Sequence, residues 1–98
     1  MSQFVLTPAA EGDILDILDY IERENASAAT RVFAALSEAM RLIAERPGIG
    51  HTRGDLADEA VRFWPVFSYL VIYRPDTSPL QIVRVLHGKR DVRRLLEE

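Results

Sequence analysis

The sequence predicts an α+β fold: an N-terminal strand, then an antiparallel α-hairpin packed on one face of a four-stranded, mainly antiparallel sheet, with a short C-terminal helix. Three observations predict it. Apolar residues recur at helical spacing in two stretches between residues 8 and 46, with turn residues between them. The segment from Arg62 to His87 is rich in β-branched and aromatic residues and is broken by the turn sequence Pro75-Asp76-Thr77-Ser78-Pro79. A β-prone run at 3–7 is too short to stand alone and needs a strand from the C-terminal half. At 98 residues the chain fits one domain, 1–98.

Each element has its own signal. Thr7 followed by Pro8 marks the start of a first helix, 8–24, with Glu11, Asp13 and Asp16 near the positive end of its dipole. Ile14, Ile17, Leu18 and Ile21 form its apolar stripe, while the acids Glu11, Asp13, Asp16 and Asp19 read as its wet face. Residues 24–27 break the pattern and offer Ser27 as the next cap. The second helix shows a broad apolar face through Val32, Phe33, Leu36, Met40 and Ile43, until Pro47-Gly48-Ile49-Gly50 stops it. Residues 47–60 hold three glycines and no periodicity, which reads as a long exposed loop of a kind that often carries function. Strands are expected at 60–65, 67–74 and 80–87, with Pro65 confined to a strand end. A last helix, 91–96, follows Asp91 as cap. The helices can cover only one sheet face, so the other is expected to stand open.

Composition narrows the function. At 48% apolar and 28% charged the chain is an ordinary globular protein. No apolar run nears the roughly 18 residues of a membrane span, and no basic leader precedes an apolar stretch, so a cytoplasmic protein is expected. Absent cysteines exclude thiolate chemistry, and two histidines are too few for a zinc site, so neither metal nor cofactor is expected. The net charge of -3 hides an asymmetry: residues 1–50 carry four basic and eight acidic residues, a net of -4, whereas 62–94 carry seven and two, a net of +5. A pI near 5.4 speaks against extensive nucleic-acid contact.

The chemistry-bearing residues cluster in the C-terminal half. Arg84 interrupts Ile82, Val83, Val85 and Leu86, and strand alternation puts Ile82, Arg84 and Leu86 on one face, Val83, Val85 and His87 on the other. The apolar Val83 and Val85 suit the helix side, so Arg84 is expected on the open side. There it would reach water, an acid, or a partner's carboxylate or phosphate. Its plainer role is a solvent-screened ion pair of about 0–1 kcal/mol. His87 suits acid-base work by residue type, although a hydrogen-bonded strand-end histidine is the plainer role, and Gly88, Lys89 and Arg90 after it suit an anion. Tyr69 and Tyr73 share one face of the middle strand, for stacking or for covering the sheet with their hydroxyls wet. Arg62 is expected to point at the open face near them, Trp64 to pack under the loop, and His51 and Arg53 to sit on the loop itself. No nucleophile, base and orienter stand together as in a hydrolase.

The order Leu6-Thr7-Pro8 through Ile14, Tyr20-Ile21, Arg46-Pro47-Gly48-Ile49-Gly50, Arg62 before the aromatic strand, Tyr69 to Tyr73, and Ile82 to Asp91 resembles the RelE/ParE superfamily of toxins from bacterial toxin-antitoxin modules. The match covers nearly the whole chain, and the family fold agrees with the one derived above. The resemblance implies a toxin held in a hetero-oligomer with a cognate ParD-like antitoxin, whose amphipathic C-terminal segment wraps over it. One branch of the superfamily cleaves messenger RNA on the ribosome; the ParE branch poisons DNA gyrase without being an enzyme. Arg62 and Arg84 match positions at which the ribonuclease branch carries arginines, yet Lys89 is the one lysine and the tail after Asp91 has no tyrosine, so His87 alone would have to serve in acid-base work. The acidic pI, the 50–55 loop and Arg62-Phe63-Trp64-Pro65 look more like ParE. A gyrase-directed toxin is therefore expected, with a ribosome-dependent mRNA endoribonuclease or a degenerate, non-toxic antitoxin-binding module as alternatives. His51, Arg53, Arg62, Tyr69, Tyr73, Arg84, His87, Lys89 and Arg90 are the candidate contacts for target or antitoxin.

Overall fold

A computed structural model describes residues 3–54, 60–88 and 91. The elements are β1 (Phe4–Leu6), α1 (Pro8–Glu24), α2 (Ala26–Glu45), a 3₁₀ turn (Pro47–Ile49), β2 (Arg62–Val66), β3 (Tyr69–Arg74) and β4 (Leu80–His87). The sheet order is β1-β4-β3-β2, with β1 parallel to β4 and the other pairs antiparallel. This is the predicted α+β architecture, two helices on one face of a mostly antiparallel sheet.

Both helices start where a short polar side chain holds an otherwise unpaired amide. Thr7 Oγ1 accepts from the Ala10 amide at 3.1 Å, and Asn25 Oδ1 accepts from the Ala28 amide at 3.0 Å. The second cap was expected at Ser27. Asn25 takes the role because its extended backbone ends α1 and begins α2 in one residue. Ala10 and Ile14 of α1 with Leu36 and Ile43 of α2 pack on Val71, Tyr73, Ile82 and Val85 of the sheet. Phe33, expected on the apolar face of α2, stands exposed instead.

The strands depart from expectation in three ways. The middle strand begins at Tyr69, and Phe67 and Ser68 form the turn before it. Pro65 lies within β2, tolerated because β2 is an edge strand that does not need its missing N–H. Most consequential is a register shift: Tyr73 opposes Ile82 while Ile72 opposes Arg84, so Val83 is an extra residue on β4. The bulge resets the alternation. Ile82 and Val85 therefore share the helix side, and Leu86 joins Phe63 and Ile72 in a second buried cluster on the far face. That face was expected to stand open; Val61 and Leu70 help shelter a small apolar cluster there. Of the expected helix 91–96, only Asp91 lies among the described residues. None of the helices searched among those residues is long and apolar enough to cross a membrane.

Candidate functional site

The sequence-predicted residues fall into three groups rather than around one reacting centre. The first lies where β1 stops and β4 continues. Thr7, just past β1, donates its amide to Ile82 O at 3.0 Å and its hydroxyl to Val83 O at 2.7 Å. The amide of Val85 then donates to Asp13 Oδ2 at 3.0 Å, and that of His87 to Asp91 Oδ2 at 3.1 Å. Side chains thus finish a ladder that the three-residue β1 cannot. Arg84 completes the group, with Nε and Nη2 donating to the two oxygens of Asp13 at 2.7 and 2.9 Å. This corrects the expected orientation: the guanidinium is turned to Asp13 of α1 rather than out from the far face. The Arg84 side chain keeps 39% of its surface exposed and that of Asp13 15%, so the pair is half-screened and two-pronged. Asp13 was assigned to the wet face of α1. Its signal was present, since Ala10, Asp13, Ile14 and Ile17 follow the i, i+3, i+4, i+7 stripe that faces the sheet.

The second group pins the loop after α2. Tyr73, completely buried, donates its hydroxyl to Pro47 O at 2.6 Å and accepts from the Gly50 amide at 2.9 Å. Its hydroxyl is dry, not wet as expected, so Tyr73 supports this loop from beneath and offers no surface to a partner. Burial raises its phenol pKa above the usual value, opposed by the Gly50 amide and the Arg62 charge. Arg62 Nη1 donates to Gly50 O at 2.9 Å, which places it beside Tyr73 on the helix side rather than on the far face. Gly50 is required by this closeness: a Cβ there would lie 2.8 Å from Tyr73 Cε1 and 2.9 Å from Cζ. His51 exchanges both backbone bonds with Phe63, at 2.8 and 2.7 Å, and its ring stacks on Trp64 at 6.4 Å and 11°. The first part of the expected loop is therefore clamped to the edge of β2. Arg53 lies exposed beyond it.

The third group is the turn end of the β2–β3 hairpin. His87 stands edge-on to Tyr69, centroids 5.8 Å apart at 89°, and Gly88 donates its amide to Ser68 O at 2.8 Å. Phe67, at the turn itself, has φ 54° and is 71% exposed, a residue that the sequence pattern placed inside a strand. Lys89 and Arg90 lie outside the described residues. A hollow of about 360 Å³ lined by Gln3, Pro47, Thr77 and Leu80 contains none of the candidates, and no three His, Asp or Glu side chains gather as metal ligands among the described residues.

Comparison with known proteins adds a family to this geometry. Residues 4–92 match the family model described as the ParE toxin of the type II toxin-antitoxin system, parDE. Among solved structures the chain is similar to one described as the chromosomal ParDE TA system from P. aeruginosa, at 17% identity and a TM-score of 0.75, covering 91% of this chain and 98% of that one. No curated protein matches it.

Proposed function

The chain belongs to the family of ParE toxins of type II toxin-antitoxin systems, and from that membership we propose that it arrests growth by binding DNA gyrase, is not itself an enzyme, and is neutralised in the cytoplasm by a ParD-like antitoxin. One observation favours this over message cleavage: both arginines that a ribonuclease of this superfamily would turn towards RNA are engaged within the fold. Arg62 donates to Gly50 O, and Arg84 spends two donors on Asp13. An acidic chain with one lysine also lacks the broad cationic surface that phosphate contacts demand. Inhibition by binding needs no acid-base pair, only a surface complementary to the target.

Purified toxin titrated into a supercoiling assay is expected to stop gyrase and to trap cleaved DNA. Intact supercoiling at saturating toxin removes gyrase as the target. If ribosome-bound messages are instead cut within codons, and Arg84→Ala or His87→Ala abolishes the cutting in a folded chain, the protein is a nuclease.

A further inference from the structure

We infer that Asp13 and Asp91 shield the flank of β4 from Val83 to His87 against the addition of a further strand, and so keep the chain from pairing there with a second copy of itself. Three observations carry it. β4 runs for eight residues, but β1 pairs only with Leu80, Gln81 and Ile82, and among the described residues no strand takes up the pairing on that side beyond them. The stretch left over, Val83-Arg84-Val85-Leu86-His87, has a usual strand length and is largely apolar. Edges of this kind are templates for another chain. Yet its amides at Val85 and His87 are held, by Asp13 Oδ2 at 3.0 Å and Asp91 Oδ2 at 3.1 Å, at the distance that a neighbouring strand's carbonyl would take.

Carboxylates suit this task better than a strand would. A carboxylate accepts hydrogen bonds and donates none, so it satisfies the amide without offering an N–H from which a ladder could continue. Its charge also repels the carbonyl oxygens of an incoming strand. Asp13 is fixed in place by Nε and Nη2 of Arg84, at 2.7 and 2.9 Å, with 15% of its side chain exposed. Thr7 closes the flank behind it by donating its hydroxyl to Val83 O at 2.7 Å. The occupant kept out is a second copy, because a stretch centred on Val85 can pair antiparallel with itself about a twofold axis, the commonest symmetry of homo-oligomers. The opposite edge of the sheet has its own obstacles: Pro65 lies in β2, and His51 already exchanges both backbone bonds with Phe63.

The test compares the full unaltered chain with Asp13→Ala, Asp91→Ala, the double variant, Arg84→Ala and Asn25→Ala, by sedimentation over a concentration series, thermal melting and amide exchange at Val85 and His87. The double variant is expected to dimerise at a concentration at least ~10-fold below any association of the unaltered chain. Its two flank amides should exchange freely when dilute and become protected in the dimer. Arg84→Ala leaves the Asp13 carboxylate on the Val85 amide, and Asn25→Ala weakens the fold away from the flank, so both are expected to associate no more than the unaltered chain. A double variant that melts cooperatively yet stays monomeric overturns the assignment, since the carboxylates then only satisfy the amides. If the double variant does not fold, the two single variants decide by the same measurements. Equal association of Asn25→Ala also overturns it, because a loosened fold then suffices. So does a dimer whose Val85 and His87 amides stay in fast exchange, because the copies then meet elsewhere.

Discussion

Asp13 holds three hydrogen bonds on two oxygens, two from Arg84 and one from the Val85 amide, and the partners are unequal. Removing Arg84 leaves a carboxylate that still has an amide, whereas removing Asp13 takes the two-pronged acceptor from Arg84 and also the acceptor of the Val85 amide. Asp13→Ala is therefore expected to cost about 1–3 kcal/mol, and Arg84→Ala, a partly exposed guanidinium, only about 0.5–1 kcal/mol. Urea denaturation of both variants checks the order; equal losses would mean that the Val85 amide finds water. Tyr73 makes a second test. Its hydroxyl serves two backbone groups in a dry site, so Tyr73→Phe is expected to lose about 1–3 kcal/mol. The sign of its pH dependence follows from the raised phenol pKa. Unfolded, the phenol gives up its proton near pH 10.0, while in the fold it holds on longer. The contribution is thus complete below that pH and is lost as pH climbs through the folded value. Stability curves at pH 8 to 11 should fall more steeply for the native chain than for Tyr73→Phe.

At the scale of elements, Thr7 joins three of them. It caps α1 through the Ala10 amide, and it extends the pairing of β1 along β4 through Ile82 O and Val83 O. Asn25 caps α2 alone, on an exposed joint. Thr7→Val preserves shape but leaves Val83 O and the Ala10 amide without their partner. It is expected to cost about 1–2 kcal/mol, against about 1 kcal/mol for Asn25→Ala. Thermal melting ranks the two, and a smaller loss for Thr7→Val would show that the α1 start is held by packing alone. The bulge at Val83 matters for the same reason. By inserting one residue it keeps Leu80, Ile82 and Val85 all on the helix side. Strict alternation along β4 would have sent Val85 and Ile82 to opposite faces.

For the whole molecule, charge distribution and engaged arginines predict weak affinity for bare RNA. Labelled single-stranded RNA in about 0.15 M salt should show no change in anisotropy below ~100 µM protein, and binding near ~1 µM would revive the nuclease. The helices, the antiparallel meander and the family were legible along the chain. Helical stripes, the Thr7-Pro8 start and the β-rich C-terminal half are local patterns, readable from the spacing of neighbours. The site was legible only in its ingredients. Arg62, Tyr73 and Arg84 were marked as unusual residues among apolar strands, but not where their polar ends go. Those directions depend on one extra residue in β4, on β1 ending after three residues, and on Gly50 meeting a tyrosine 23 positions later. Phe67 was hidden for a related reason: an aromatic after Pro65-Val66 continues a strand pattern, and only the closed hairpin reveals the turn. By itself, then, the sequence determined which segments coil, which extend and which sides are apolar, because these follow from short-range periodicity. Tertiary structure alone decided which charges are satisfied internally and which aromatic residue stands exposed, because hydrogen bonds between residues 71 or 23 positions apart exist only once the sheet has set their register.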